Sequence, residues 1–168
     1  MNLSMYQASA PRFANTLKNL SAILDKAQAH AEAKKIDDQV LTSARLFPDM
    51  FTLARQVQIS CDTAKGAVAR LAGAEIPKHE DTEQSFEELK ARIAKTAEFI
   101  VGFKPAQIDG SEDKEVVLRL AGSEVKFKGV QYLLGFAWPN FYFHVTAAYA
   151  ILRHNGVDIG KRDFIGNP

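Results

Sequence analysis

The sequence predicts an all-α domain, a four-helix bundle with a small β-hairpin between its third and fourth helices. Three observations lead there. Four stretches repeat apolar residues at alternating spacings of three and four, which puts them on one helical face. One stretch, Glu115 to Lys128, switches to a period of two. The length of 168 residues suits one domain, residues 1–168, with its own core.

The first helix carries Phe13, Leu17, Leu20, Leu24, Ala27 and Ala31 on its inward stripe. Pro11 either fits its first turn, where a missing N–H costs nothing, or marks a kink, and Lys34-Lys35 suits the negative end of the helix dipole. A short helix is expected at Asp38 to Leu46, started by Asp37 and stopped before Pro48. Asp49 is the expected N-terminal residue of the second long helix, whose stripe is Met50, Leu53, Val57, Cys61, Ala64, Val68 and Leu71. Gly73 and Pro77 end it. Asp81 with Gln84 forms a capping-box pattern for the third helix, with Phe86, Leu89, Ile93, Ala97 and Ile100 facing inward and Gly102 and Pro105 closing it. Val116, Leu118 and Leu120, then Val125 and Phe127, alternate about Ala121-Gly122-Ser123 and predict the hairpin. The fourth helix spans about Val130 to His154. Pro139 opposes the carbonyl of Gly135, so a kink or restart is expected there. Asn155-Gly156 stops the helix, and the tail from Asp158 to Pro168 reads as irregular chain.

Composition removes several classes of function. Apolar residues make up 46% and charged residues 24%, values that argue against global disorder. With 21 Lys+Arg against 20 Asp+Glu, and basic runs no longer than pairs such as Lys34-Lys35 and Lys161-Arg162, no nucleic-acid partner is expected. A single cysteine, Cys61, excludes an intrachain disulfide and fits a reducing, cytoplasmic compartment. Pro11, Arg12 and Asn15 interrupt any signal-like apolar core, and no run of about 18 apolar residues predicts a membrane span.

His144 is the leading candidate for chemistry. It shares a helical face with Asn140, Ala148 and Ile151 within an aromatic segment, which predicts burial. A buried neutral imidazole suits a metal ligand or a general base. The same ring can also be a core histidine that needs only a hydrogen-bond partner. On the second helix Gln56, Gln58, Ser60, Cys61 and Asp62 offer oxygen, nitrogen and sulfur. Gln58 and Asp62 share a face, and Asp62 is a candidate ligand or an orienting partner for His144. The alternative puts both on a solvated face, because Cys61 rather than Asp62 fits the apolar stripe. Cys61 itself reads as packing. His30, His79 and His154 read as structural or solvated. No HExxH, CxxC, GxGxxG, Walker A or GxSxG pattern is present. Phe136, Trp138, Phe141, Tyr142 and Phe143 put five large rings into eight residues. They can line a pocket around His144, with Trp138 and Tyr142 as wall residues, or cover a subunit interface. A helix apolar on all sides must be covered on all sides, and a homodimer is the expected assembly.

The run from His144 through Arg153-His154-Asn155-Gly156-Val157 resembles the final helix of the DinB/YfiT-like superfamily. Pro48-Asp49-Met50, Arg55-Gln56-Val57-Gln58, Cys61-Asp62, Arg70-Leu71-Ala72-Gly73, Pro139-Asn140-Phe141 and Lys161-Arg162-Asp163-Phe164 together are similar to a bacterial family of unknown function related to DinB. The resemblance implies a DinB-like four-helix bundle, often dimeric. It also implies a zinc or nickel site made by one histidine on the second helix and an HxxxH pair on the last. His144 falls on the second position of that pair. Asn140 stands at the first, and no histidine lies between Met50 and Gly73. Two of three ligands are thus absent, so no metal cofactor is expected. The expected function is a DinB-like bundle that binds a small ligand or acts through its dimer. The alternative is a metal- or His144-dependent enzyme acting on a small substrate, thiol-linked or not.

Overall fold

The structure is a computed structural model and describes residues 3–120 and 122–166. The chain is mostly helical, with one two-stranded antiparallel hairpin. Four helices are long: α2 (Ala10–Lys34), α4 (Leu53–Ala72), α5 (Phe86–Val101) and α8 (Trp138–His154). Short helices α1 (Met5–Ala8), α3 (Asp38–Thr42), α6 (Pro105–Ile108), α7 (Gly129–Tyr132) and α9 (Lys161–Ile165) join or flank them. Helix α2 packs on α5, and α4 lies between α5 and α8. Among the described residues, no helix is long and apolar enough to cross a membrane.

The predicted stripes form the core. Phe13, Leu17, Leu20, Leu24, Ala27 and Ala31 of α2 are buried, as are Leu53, Val57, Cys61, Ala64, Val68 and Leu71 of α4. Phe13 meets Phe141 of α8 edge-to-face at 4.9 Å between ring centroids, a geometry that adds about 1 kcal/mol to area burial alone.

Several boundaries differ from expectation. Helix α3 ends at Thr42, four residues short of Leu46. Helix α4 is capped by Thr52, whose hydroxyl accepts from the Arg55 amide, and not by Asp49; Met50 lies before the helix. Helix α5 is capped by Ser85, with Glu88 completing the box. Asp81 is instead drawn to Arg55 and Arg92. On α5, Thr96 is buried where Ala97 was expected to face inward. The tail is not wholly irregular. Helix α9 forms in it and docks on α2, where the Asn19 amide donates to the carbonyls of Phe164 and Ile165.

Strands β1 (Glu115–Leu120) and β2 (Ser123–Lys128) pair with Leu120 opposite Ser123. Gly122 holds φ +85°, which an L side chain adopts only with strain; Ala121 of the expected turn lies outside the described residues. Between α7 and α8, residues Leu133–Ala137 form one π-helical turn that ends where Pro139 enters the first turn of α8. The missing N–H is accommodated by this wider turn rather than by a break in the chain.

Candidate functional site

His144 lies on the buried side of α8, facing α4. Its Nδ1 is 2.6 Å from Oε1 of Gln56, and both side chains are buried, at 7% and 1% exposure. The Gln56 amide is oriented by its other end, because Nε2 donates to the Phe51 carbonyl at 3.3 Å. Oε1 therefore accepts, Nδ1 carries the proton, and Nε2 of His144 holds the lone pair. Burial lowers the imidazole pKa below its ordinary value, and the Arg55 charge lowers it further. The ring is neutral at pH 7.

The polar residues expected on the second helix do not gather around His144. Asp62 accepts from Arg92 at 2.9 Å and pairs with Lys65 at 2.7 Å, so it does not orient the imidazole. Gln58 is buried rather than solvated. It donates to Glu83 at 2.9 Å and accepts from Arg55 at 3.3 Å. Both belong to a network centred on Arg92 of α5, whose side chain is 2% exposed and also pairs with Glu83 and Asp81. Arg55 closes the network on Asp81. Asn140 turns to α4 as well, donating to Thr63 Oγ1 at 3.0 Å. Asp62 and Asn140 line one cavity, of about 280 Å³, between α4, β1 and the start of α8. Trp138 and Tyr142 meet edge-to-face at 5.8 Å between ring centroids, and Tyr142 with Phe143 borders a separate apolar groove. The six candidate residues thus occupy three neighbourhoods, not one pocket.

Two partners carried a sequence signal of their own. Gln56 and Ser60 fall three residues after Leu53 and Val57, inside the inward stripe of α4. Arg92 sits three residues after Leu89 and four before Thr96, on the buried face of α5. A polar or charged residue at a core-facing position is a stronger marker of a buried network than one judged by its i,i+4 neighbour. Burial pushes the Cys61 thiol up to about 12, which leaves it inert as a nucleophile near neutral pH.

The donor chemistry around His144 does not match a zinc or nickel centre. Its nearest polar neighbour is a carboxamide whose oxygen is already used, and Asn140 is turned toward Thr63. Among the described residues, no three His, Cys, Asp or Glu side chains converge as a metal-holding group.

Comparison with known proteins gives the fold a lineage. A search of curated proteins found no match. The chain is similar to a DinB family member from Shewanella denitrificans of known crystal structure. The two are 45% identical with a TM-score of 0.90, over 97% of this chain and 92% of that one. Residues 5–165 match the family described as a domain of unknown function, DUF1993. A match over that span, on a fold shared with a DinB family member, means that the chain belongs to the DUF1993 family.

Proposed function

We propose that the protein is a DinB-type four-helix bundle that binds a small ligand without using the metal centre of the wider superfamily, and that it works as a homodimer. The observation that carries this is the His144–Gln56 hydrogen bond. The imidazole that the DinB resemblance puts at a ligand position is committed, through Nδ1, to a buried carboxamide. Zinc and nickel favour imidazole, thiolate or carboxylate donors, and the neighbouring amides of Gln56 and Asn140 are poor substitutes. The lone buried Cys61 and the near-neutral charge fit a cytoplasmic protein with no nucleic-acid partner.

Dimerisation is supported by an apolar groove of about 410 Å³ on α8 and the loop before α4, bordered by Leu46, Met50, Tyr142 and Phe143. Phe143 is 59% exposed, and Phe47 and Phe51, next in sequence to Leu46 and Met50, are 63% and 53% exposed. Exposed rings at this density are costly in water and suit an isologous contact with a second copy.

A second reading has one observation in its favour. Nε2 of His144 holds a lone pair and makes no hydrogen bond among the described residues. A neutral imidazole so arranged is suited to act as a general base on a small substrate. Metal content separates the two classes. Protein purified without a histidine tag is expected to carry far less than one transition-metal ion per chain. Near-stoichiometric zinc, nickel or iron that disappears in His144→Ala would overturn the metal-free proposal.

A further inference from the structure

Arg70 is a cation without an anion. It sits in the last turn of α4, at the junction of two grooves. Among the described residues its guanidinium makes no ion pair. Its one hydrogen bond runs from Nη1 to the Tyr132 hydroxyl at 3.2 Å, with the guanidinium carbon 6.0 Å from the centre of that ring. Asp62 lines the same grooves, yet its charge is matched by Lys65 and Arg92. Arg70 is held in place by a gap in its own helix. A Cβ at Gly66, one turn earlier, would lie 2.5 Å from Nη1 of Arg70, with only atoms of that side chain within reach.

The cavity beside Arg70 carries hydrogen-bond donors alongside the acceptor oxygens of Asp62 and Asn140. Tyr132 Oη accepts from Arg70, which leaves its own O–H to donate. Thr63 Oγ1 accepts from Asn140, which leaves its hydroxyl proton free as well. Arg119 of β1 borders the same space, and the opposite wall is apolar, made by Leu118, Leu120 and Phe136. Tyr132 and Phe136 stack at 21° between ring planes. The volume, about 280 Å³, falls just below the roughly 300–1,000 Å³ typical of small-molecule sites, which suits a ligand of one ring or less.

We infer that this cavity binds a small organic anion, an apolar or aromatic body bearing a carboxylate or phosphate, with the anionic group on Arg70, Tyr132 and Thr63 and the body against Phe136. The inference rests on the ligand-binding proposal above and names its site and ligand class. A planar guanidinium matches carboxylate and phosphate oxygens in pairs, and an uncompensated one in a partly closed cavity favours them strongly.

The test is calorimetric titration of the whole protein with phenyl phosphate, benzoate, inorganic phosphate and, as the neutral analogue, benzyl alcohol. Saturable binding of phenyl phosphate or benzoate is expected, at least tenfold tighter than of inorganic phosphate or benzyl alcohol, and weakened by added salt. Arg70→Gln should lower that affinity at least tenfold. Gly66→Ala should lower it too while leaving the melting temperature equal or higher, because the added methyl displaces only the guanidinium and replaces a mid-helix glycine. Absence of saturable binding by both aromatic anions, or affinity unchanged in Arg70→Gln, would overturn the inference. Benzyl alcohol binding as tightly as phenyl phosphate and benzoate would also overturn it, yet leave the ligand-binding proposal standing. Metal loading through His144 would overturn that proposal without altering the titration of Arg70.

Discussion

Gln56 and His144 define each other's state. Removing the amide leaves an imidazole N–H buried with no acceptor, and such an orphan costs about 1–3 kcal/mol. Gln56→Leu is therefore expected to lower the melting temperature by several degrees, at roughly 2–4 °C per kcal/mol for a chain of this size, measured by thermal denaturation. The pH dependence has a fixed sign. The His144 pKa is lowered in the folded state, so the unfolded chain binds more protons between that value and the ordinary one near 6.5. The contribution is fully present above pH 6.5 and is lost as pH falls through 6.5 toward the lowered value. His79 is shifted the same way, by burial and then by the Lys65 charge, so wild type alone does not isolate His144. The difference between wild type and His144→Asn across pH 7 to 5 does, and it should narrow as the pH drops.

The sequence identified His144 as the buried imidazole and the second helix as the side it faces. It offered Asp62 as a ligand or orienting partner for that ring, with a solvated face as the alternative, and the fold takes Asp62 for Arg92. That choice depends on α5 lying beside α4, a long-range fact that spacing along one helix does not contain. Arg70 was visible only as part of a family-like motif; its lack of a carboxylate partner is a property of the folded surface.

Among the elements, existence was more legible than boundaries. All four long stripes form helices, and the period-two segment forms the hairpin with its pairs in register. The N-terminal caps were misplaced by three to four residues, at Asp49 rather than Thr52 and at Asp81 rather than Ser85. In each case an acidic residue competed with a hydroxyl nearer the first apolar position. The carboxylate of Asp81 was drawn into the Arg92 network instead. Ser85→Ala should cost about 1 kcal/mol of stability, whereas Asp49→Ala should be near neutral, both read by urea denaturation. Equal losses would return the cap of α4 to Asp49. Arg92 ties α4, α5 and the segment between them through Asp62, Asp81 and Glu83. Pro139 illustrates the other kind of gap. Its disruptive effect was readable, but a π turn absorbing it depends on how α7 leaves β2.

For the whole molecule, exposed Phe143 and the groove beside it predict self-association. Sedimentation should give twice the 18.6 kDa chain mass, and Phe143→Glu should give the monomer with its helical circular dichroism retained. A wild-type monomer at micromolar concentration would remove the dimer from the account. The ligand cavity by β1 and the apolar groove by Phe143 are lined by different residues, with none shared, so loss of the dimer need not abolish binding at Arg70.

On the function proposed above, His144 is a hydrogen-bonded core group and not a metal ligand. The most direct measurement is the nitrogen spectrum of ¹⁵N-histidine-labelled protein at pH 7, taken before and after one equivalent of zinc. His144 should be neutral with its proton on Nδ1, and zinc should leave both ring resonances in place. A proton on Nε2, or a zinc-dependent shift of His144 that saturates at one ion per chain, would contradict the account.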